Sequence, residues 1–336
     1  MSDDLDPMLL VEASRYSDWH IDIAVPERSV LFLEASAAGS QGSEAQLGEA
    51  MPCRVPANMK PIFDQLVLKL KEHQAAGDAP ALRLSIFKMG FRGERIKPSR
   101  YALRRIRDKV DPMDKLALGK AASDVLLDPS FRSGGLVLIA GETGAGKSTT
   151  AASTVVSRLQ AFGGYCLTVE SPIEVEFEGF HGNGYVEQVD ATATGFKYEV
   201  ASAMRKFPAG TRSMFYFGEV LDENAAAELA RLIGRGHLVI TTIHAKDLIS
   251  AIEMLVAFAE RGGETYARQL IGGNLRAIIH QRLQQGKPVV SVLKANDAIK
   301  NIIASTTTPL SQLANEVDMA KRQQLATAMR QPAMRP

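Results

Sequence analysis

The sequence predicts an α/β protein of two domains, the larger and C-terminal one built on a parallel-core sheet with helices on its faces. Three observations predict it. The run Gly141-Glu-Thr-Gly-Ala-Gly146-Lys147-Ser148 is a full match to GxxxxGK[ST], lying directly between a strand-sized apolar run and a helix. From residue 135 onward, apolar runs alternate with helical stretches, which is the order of a parallel sheet. Before that the pattern is one of short strand candidates around a single helix, and the two regions meet at a stretch holding Pro112 and a run of Leu residues.

In chain order, residues 9–107 offer strand candidates at 21–25, 30–33 and 82–87. Between them Ile62, Phe63, Leu66, Val67 and Leu70 recur at helical spacing. The Ala- and Gly-rich stretch 35–48 reads as a flexible insertion or hairpin tip. Residues 110–127 read as a linker plus a short helix. The predicted divisions are therefore 1–110, a linker at 111–133, a second domain at 134–305 and a helical or disordered tail at 306–336. Within the second domain a strand at 136–140, the glycine loop, a helix at 147–162 and a strand at 165–169 follow one another. Further strands are expected at 213–217 and 237–242, then helices at 248–260, 266–282 and 297–303. Residues 321–336, rich in Gln, Ala, Met and Arg, read as a fraying helix or disordered tail.

Composition narrows the function classes. The 336 residues are 46% hydrophobic and 23% charged, enough for about two globular domains. A net charge of +1 argues against a surface built throughout to grip nucleic acid. Cys53 and Cys166 are far apart without CxxC spacing, so neither a disulfide framework nor a structural zinc site is supported. The acidic start lacks the order of a signal peptide, and no apolar run is long enough to cross a bilayer. A cytoplasmic protein, reaching any membrane through a partner, is the expectation.

The glycine run carries the chemistry. Gly141, Gly144 and Gly146 let successive backbone N–H groups turn onto phosphate oxygens, with Thr143, Ala145 and Thr149 completing the loop and the helix N-terminus adding its dipole. Lys147 would neutralise the outer phosphates of ATP and the Ser148 hydroxyl would complete a Mg2+ shell. The competing reading, a glycine-rich turn that binds nothing, is weakened by the strand and helix on either side. Glu219 follows the apolar run 214–217 and is the candidate acid that orders Mg2+ through water and activates the attacking water. Glu170, at the edge of the strand 167–169, is a second candidate of that kind. Taken alone, either could be a surface acid at a strand end. His237 opens an apolar strand and His244 closes it, both candidates for sensing the outer phosphate or a neighbouring subunit.

Together these segments resemble the type II and type IV secretion ATPases. The blocks that carry the resemblance are GETGAGKSTT from Gly141, Thr168-Val-Glu-Ser-Pro-Ile-Glu174, Phe217-Gly-Glu219-Val-Leu-Asp222, and Gly236-His-Leu-Val-Ile-Thr-Thr-Ile-His244-Ala. Counterparts also exist for Gln281-Arg282-Leu283 and for 298–303, and the match covers about 135–303. The resemblance implies a RecA-like P-loop motor domain preceded by a smaller PAS-like α/β domain. It also implies a hexameric ring that hydrolyses ATP with Mg2+, and a partner at the inner membrane, either a platform or a secretion-complex protein. Through it Arg205 becomes a candidate for stabilising transition-state charge, as do Arg92, Arg104 and Arg105 reaching a neighbouring subunit. Ser171 stands where the family usually has aspartate, and Ala201 where it has a second arginine, with Arg212 a possible substitute. Pilus retraction and a type IVB secretion or conjugative apparatus remain open as the machine served. A RecA-like nucleic-acid translocase and a nucleotide-binding scaffold with little hydrolysis remain open as alternatives.

Overall fold

The computed structural model describes residues 6–33, 51–77, 81–87, 89–106, 110–208, 210, 212–284 and 287–330. The insertion expected at 35–48 and the last six residues of the expected tail lie outside them. The chain forms two compact units, the first holding the residues up to Asp108 and the second most of the remainder.

The first unit runs α1 (Pro7–Ala13), β1 (Tyr16–Asp22), β2 (Val30–Leu33), β3 (Met51–Arg54), α2 (Lys60–Ala75), β4 (Ala81–Ile86), β5 (Met89–Lys97) and β6 (Arg100–Ile106). Its sheet has the order β3-β2-β1-β6-β5-β4 and is antiparallel throughout, the PAS-like type of small α/β unit. The five apolar positions that predict α2 are its buried face. They meet Trp19, Ile21, Leu31, Phe91 and Tyr101 from the sheet, and burying each large side chain contributes about 1.5–3 kcal/mol. Trp19, fully buried, packs edge-on against Tyr16 and Phe91. The first strand ends earlier than the expected 21–25 because Asp22 Oδ1 accepts from the Ala24 and Val25 amides, turning the chain out of the sheet.

The second unit begins with residues expected as linker. Met113, Leu118, α3 (Lys120–Leu126) and Phe131 are not a tether: their apolar side chains join the core beneath the sheet. There follow β7 (Gly135–Gly141), α4 (Lys147–Phe162), β8 (Gly164–Glu170), β9 (Gly179–His181), β10 (Gly184–Asp190), α5 (Phe196–Ala203), β11 (Ser213–Val220), α6 (Glu223–Ile233) and β12 (Leu238–His244). The unit continues through α7 (Leu248–Arg261), α8 (Ala267–Asn274), β13 (Leu275–Gln284), β14 (Lys287–Lys294), α9 (Asp297–Ala304) and α10 (Leu313–Arg330). The sheet order is β14-β13-β7-β12-β11-β8-β10-β9. β13, β7, β12, β11, β8 and β10 run parallel, and β9 pairs antiparallel with β10.

β7 is buried along its whole length. Leu136, Leu138 and Ala140 face a core shared with α6 and α7, while Val137 and Ile139 face one shared with α3 and α4. A strand covered on both faces reads as one apolar run, which is why β7 is so visible in the sequence. The order places β12 between β7 and β11, the arrangement of a RecA-like motor domain.

The helix expected at 266–282 is a correction. It stops at Asn274, and Leu275–Gln284 is a parallel strand paired with β7. An apolar run of this length is equally a buried helix or a buried strand, and here β-branched Ile278 and Ile279 fill the two cores from opposite faces. Likewise the expected tail is packed in part, since Leu313 and Val317 of α10 belong to the core around α7.

Candidate nucleotide-binding site

The loop between β7 and α4 has Gly144 and Gly146 in the left-handed region, at φ 77° and 84°, where other residues are strained. A side chain on Gly141 would collide with the Gln281 carbonyl oxygen. α4 starts at Lys147 with Gly146 as its cap and no side-chain capping bond, so its first-turn amides stay available. Thr143 is exposed, Ala145 is buried, and Ser148 and Thr149 are half-buried in the first turn. This is the geometry of an anion cradle at a helix N-terminus.

Three side chains converge on the end of the loop. Lys147 Nζ donates to the Glu142 carbonyl (3.1 Å) and lies 3.4 Å from both Glu219 Oε1 and His244 Nδ1. His244 Nε2 is in turn 3.1 Å from Glu219 Oε1. Burial pushes the Lys147 pKa below the usual lysine value, and the charges of Glu219 and then Glu174 oppose that shift. His244 reaches this place because β12, which it closes, lies beside the strand that carries the loop.

Glu219 reaches it through a bulge. Phe215 and Phe217 face α6 and α7, so strict alternation along β11 would send Glu219 to that side, away from α4. Instead Phe217 pairs with Thr241 and Glu219 with Thr242, leaving Gly218 as the extra residue. Beyond the bulge Glu219 shares the face of Thr242 and His244, which is also that of Ile240 and α4. The Gly218 carbonyl accepts from Thr241 Oγ1 (3.0 Å), and a side chain on Gly218 would crowd the Cα and Cγ of Glu170.

Glu170 therefore sits beside the bulge, almost fully buried. Thr168 Oγ1 and Gln188 Nε2 donate to its Oε1 at 3.0 and 3.1 Å. Burial raises its pKa to about 7 in spite of those bonds. Glu174, rather than Glu170, is the acid of this segment whose charge acts on Lys147.

Two expected site residues are not brought here. His237 lies at the N-terminal end of β12, the opposite edge of the parallel sheet, about 20 Å of strand away from His244. There its Nδ1 is 2.6 Å from Ser213 Oγ and its ring stacks on Phe207. Arg205 is exposed two residues before that Phe207 and belongs to the same remote edge. In the first unit Arg104 pairs with Asp18 (2.7 Å) and Arg105 donates to the Ser14 carbonyl (3.2 Å).

Gln281 was visible in the sequence only as part of a family block. Its buried amide joins the loop and α4, donating from Nε2 to the Ala145 carbonyl (2.6 Å) and accepting from Thr150 Oγ1 (2.7 Å). Its place two residues after Ile279 and four after Ala277, on the same face of β13, is the signal that could have found it.

A glycine cradle with free helix N-terminal amides, a buried lysine and an adjacent carboxylate fits a nucleoside phosphate. The oxygen donors Ser148 and Glu219 flank the lysine, one next to it in sequence and one within 3.4 Å of it, and suit a hard divalent cation. Fold and site together define a RecA-like P-loop motor domain behind a PAS-like unit.

The chain belongs to the family described as Type II/IV secretion system protein, whose model matches residues 75–330. It is 29% identical to the type IV pilus ATPase PilU of Pseudomonas aeruginosa over 185 residues, covering 54% of this chain and 45% of that protein. Its matches span about half the length of such curated relatives. The crystal structure of the pilus retraction motor PilT with bound ADP matches with a TM-score of 0.66 at 23% identity, over 94% of this chain and 90% of that one. The Legionella pneumophila ATPase DotB matches at 0.63 and 19% identity, over 96% and 89%. At these identities the two structures speak for the fold.

Proposed function

We propose that the chain hydrolyses ATP as one subunit of a hexameric ring and so powers a type IV pilus or a type IV secretion apparatus. The observation that carries this reading is the convergence of Lys147, Glu219 and His244 on the end of a glycine loop. The loop amides and Lys147 bind the phosphates, and Ser148 with Glu219 holds Mg2+, Glu219 through water. Bound there, Mg2+ supplies charge neutralisation on the outer phosphates. Glu219 orients the attacking water and takes its proton. His244 touches both Glu219 and Lys147, so it fixes the carboxylate and registers whether the lysine is engaged by phosphate. Glu170 supports Glu219 from beside the bulge and reaches Mg2+ through water.

Among the described residues no arginine is bonded to Glu219, which supports completion of the charge set by a neighbouring subunit. No described helix is long and apolar enough to cross a membrane. We assign the ring to the cytoplasmic side of the inner membrane, engaged through a platform or secretion-complex protein.

The test is phosphate release by purified protein. Lys147→Ala and Glu219→Ala should each lower turnover by about two orders of magnitude or more while circular dichroism remains that of the parent. Undiminished turnover in either variant overturns the reading. A deletion strain scored for twitching and, separately, for substrate or DNA transfer assigns the machine.

A further inference from the structure

We propose that Gln281 is the positioning residue of the phosphate-binding loop, setting the direction in which the loop presents its Gly146 N–H. This rests on the nucleotide-binding reading of that loop.

β13 reaches the loop in a fixed phase. Leu275 pairs with Leu136 and Ala277 with Val137, which leaves Arg276 as an extra residue. Arg276 is pinned there, donating from Nε to the Gly134 carbonyl (2.6 Å) and from Nη2 to Ser133 Oγ (3.1 Å). Beyond it Ala277 and Ile279 join the core under α4, so Gln281, two residues further, faces the loop. Its side chain is buried.

The orientation of the amide follows from its partners. The Ala145 carbonyl can only accept, so it takes the Nε2–H, while the Thr150 hydroxyl donates to Oε1. One amide thus spans from the loop to the first turns of α4. In a trans peptide the C=O and the next N–H point in opposite directions. Drawing the Ala145 C=O toward β13 therefore turns the Gly146 N–H to the other side, where the loop is open to a phosphate. Gly146 itself must lack a side chain, since a Cβ would come 2.9 Å from Gln281 Nε2.

Two variants separate positioning from packing. Gln281→Leu keeps the volume and removes both bonds. Gln281→Glu keeps an acceptor for Thr150 and sets a carboxylate against the Ala145 carbonyl, but regains an O–H donor when protonated. Equilibrium binding of MgADP to the full chain should weaken about tenfold in Gln281→Leu, the effect of one lost hydrogen bond. KM for ATP should rise in parallel, with kcat changed by less than about twofold. In Gln281→Glu, binding should weaken further at pH 8 and recover toward the parent as pH falls to 6, a profile a packing defect does not produce. Thr150→Val, which leaves the amide without its donor, should weaken binding several-fold, and less than additively when combined with Gln281→Leu. Unchanged MgADP affinity in Gln281→Leu, or a pH-independent Gln281→Glu, overturns the inference. If Gln281→Leu does not fold, the Glu and Thr150 variants decide. Failure of the parent to bind MgADP would instead overturn the reading on which it rests.

Discussion

At the scale of the residue, Glu170 is the buried group whose titration the fold alters most usefully. Its pKa rises from 4.5 to about 7, so the folded protein holds a proton there that the unfolded chain has released. Folding stability therefore falls as pH rises through the window from about 4.5 to about 7, by up to about 3 kcal/mol. Glu170→Gln keeps the acceptor for Thr168 and Gln188 and has no charge to bury. In nucleotide-free protein its urea midpoint should lose most of the decline that the parent shows between pH 5 and pH 8. A parent midpoint that is flat over this range would contradict the assignment. The convergence of Lys147, Glu219 and His244 was legible at this scale, the first from motif spacing and the other two because each ends an apolar run. Glu174, Gln281 and the placing of His237 and Arg205 at the far end of the strands were not, because they depend on which edge and which face of the sheet a residue occupies. A strand has two ends, and an apolar run bounded by two histidines does not say which end holds the phosphate.

At the scale of the element, β7, α4 and α2 could be read directly from periodicity, whereas β13 could not. What separates β13 from a helix is its partner, a strand some 140 residues earlier in the chain. The segment 111–133 was misread for a related reason, since Met113, Leu126 and Phe131 are individually unremarkable and become a layer only against α4. One ion pair fastens that layer to the sheet. Asp128 accepts from Lys294 Nζ (2.6 Å) at the end of β14 and from the Ser130 amide (2.8 Å). Burial alone would raise its pKa, but the bonds from Lys294 and Ser130 outweigh it and hold the carboxyl at about 2. The pair therefore contributes fully above the unfolded value of 3.8, and the contribution is lost as pH falls from there through about 2. Asp128→Asn keeps the cap on Ser130 and loses the pair. It should cost about 1 kcal/mol in urea denaturation at pH 7, since Lys294 is half exposed, and only a small fraction of that at pH 2. An equal cost at both pH values would assign the effect to packing.

At the scale of the whole molecule, the two units were foreseen as two, and the parallel core of the second was foreseen from alternating apolar runs. The strand order was not, because it records which strands are neighbours in space. The proposed ring, with a neighbouring subunit completing the charge set, makes assembly part of the chemistry. Specific turnover should rise with protein concentration, and mass photometry with MgADP should show species near six times the 36.4 kDa chain. Full specific activity in a strictly monomeric preparation would remove the ring from the mechanism.

The Gly218 bulge bears on how such a chain can change over time. Glu219 faces Lys147 because an odd residue has been counted into β11, so its placement depends on parity as much as on identity. Loss of Gly218 would set Glu219 directly after Phe217 and still opposite Thr242, on the face of Lys147, whereas a strand that paired Gly218 itself with Thr242 would turn the carboxylate to the far side of the sheet with every side chain still present. The loop before Ser213 is under no such constraint, because pairing with β12 resets the register at the start of the strand. What aims Glu219 at Lys147 is thus its pairing with Thr242, and length variation upstream of Ser213 leaves that pairing unchanged.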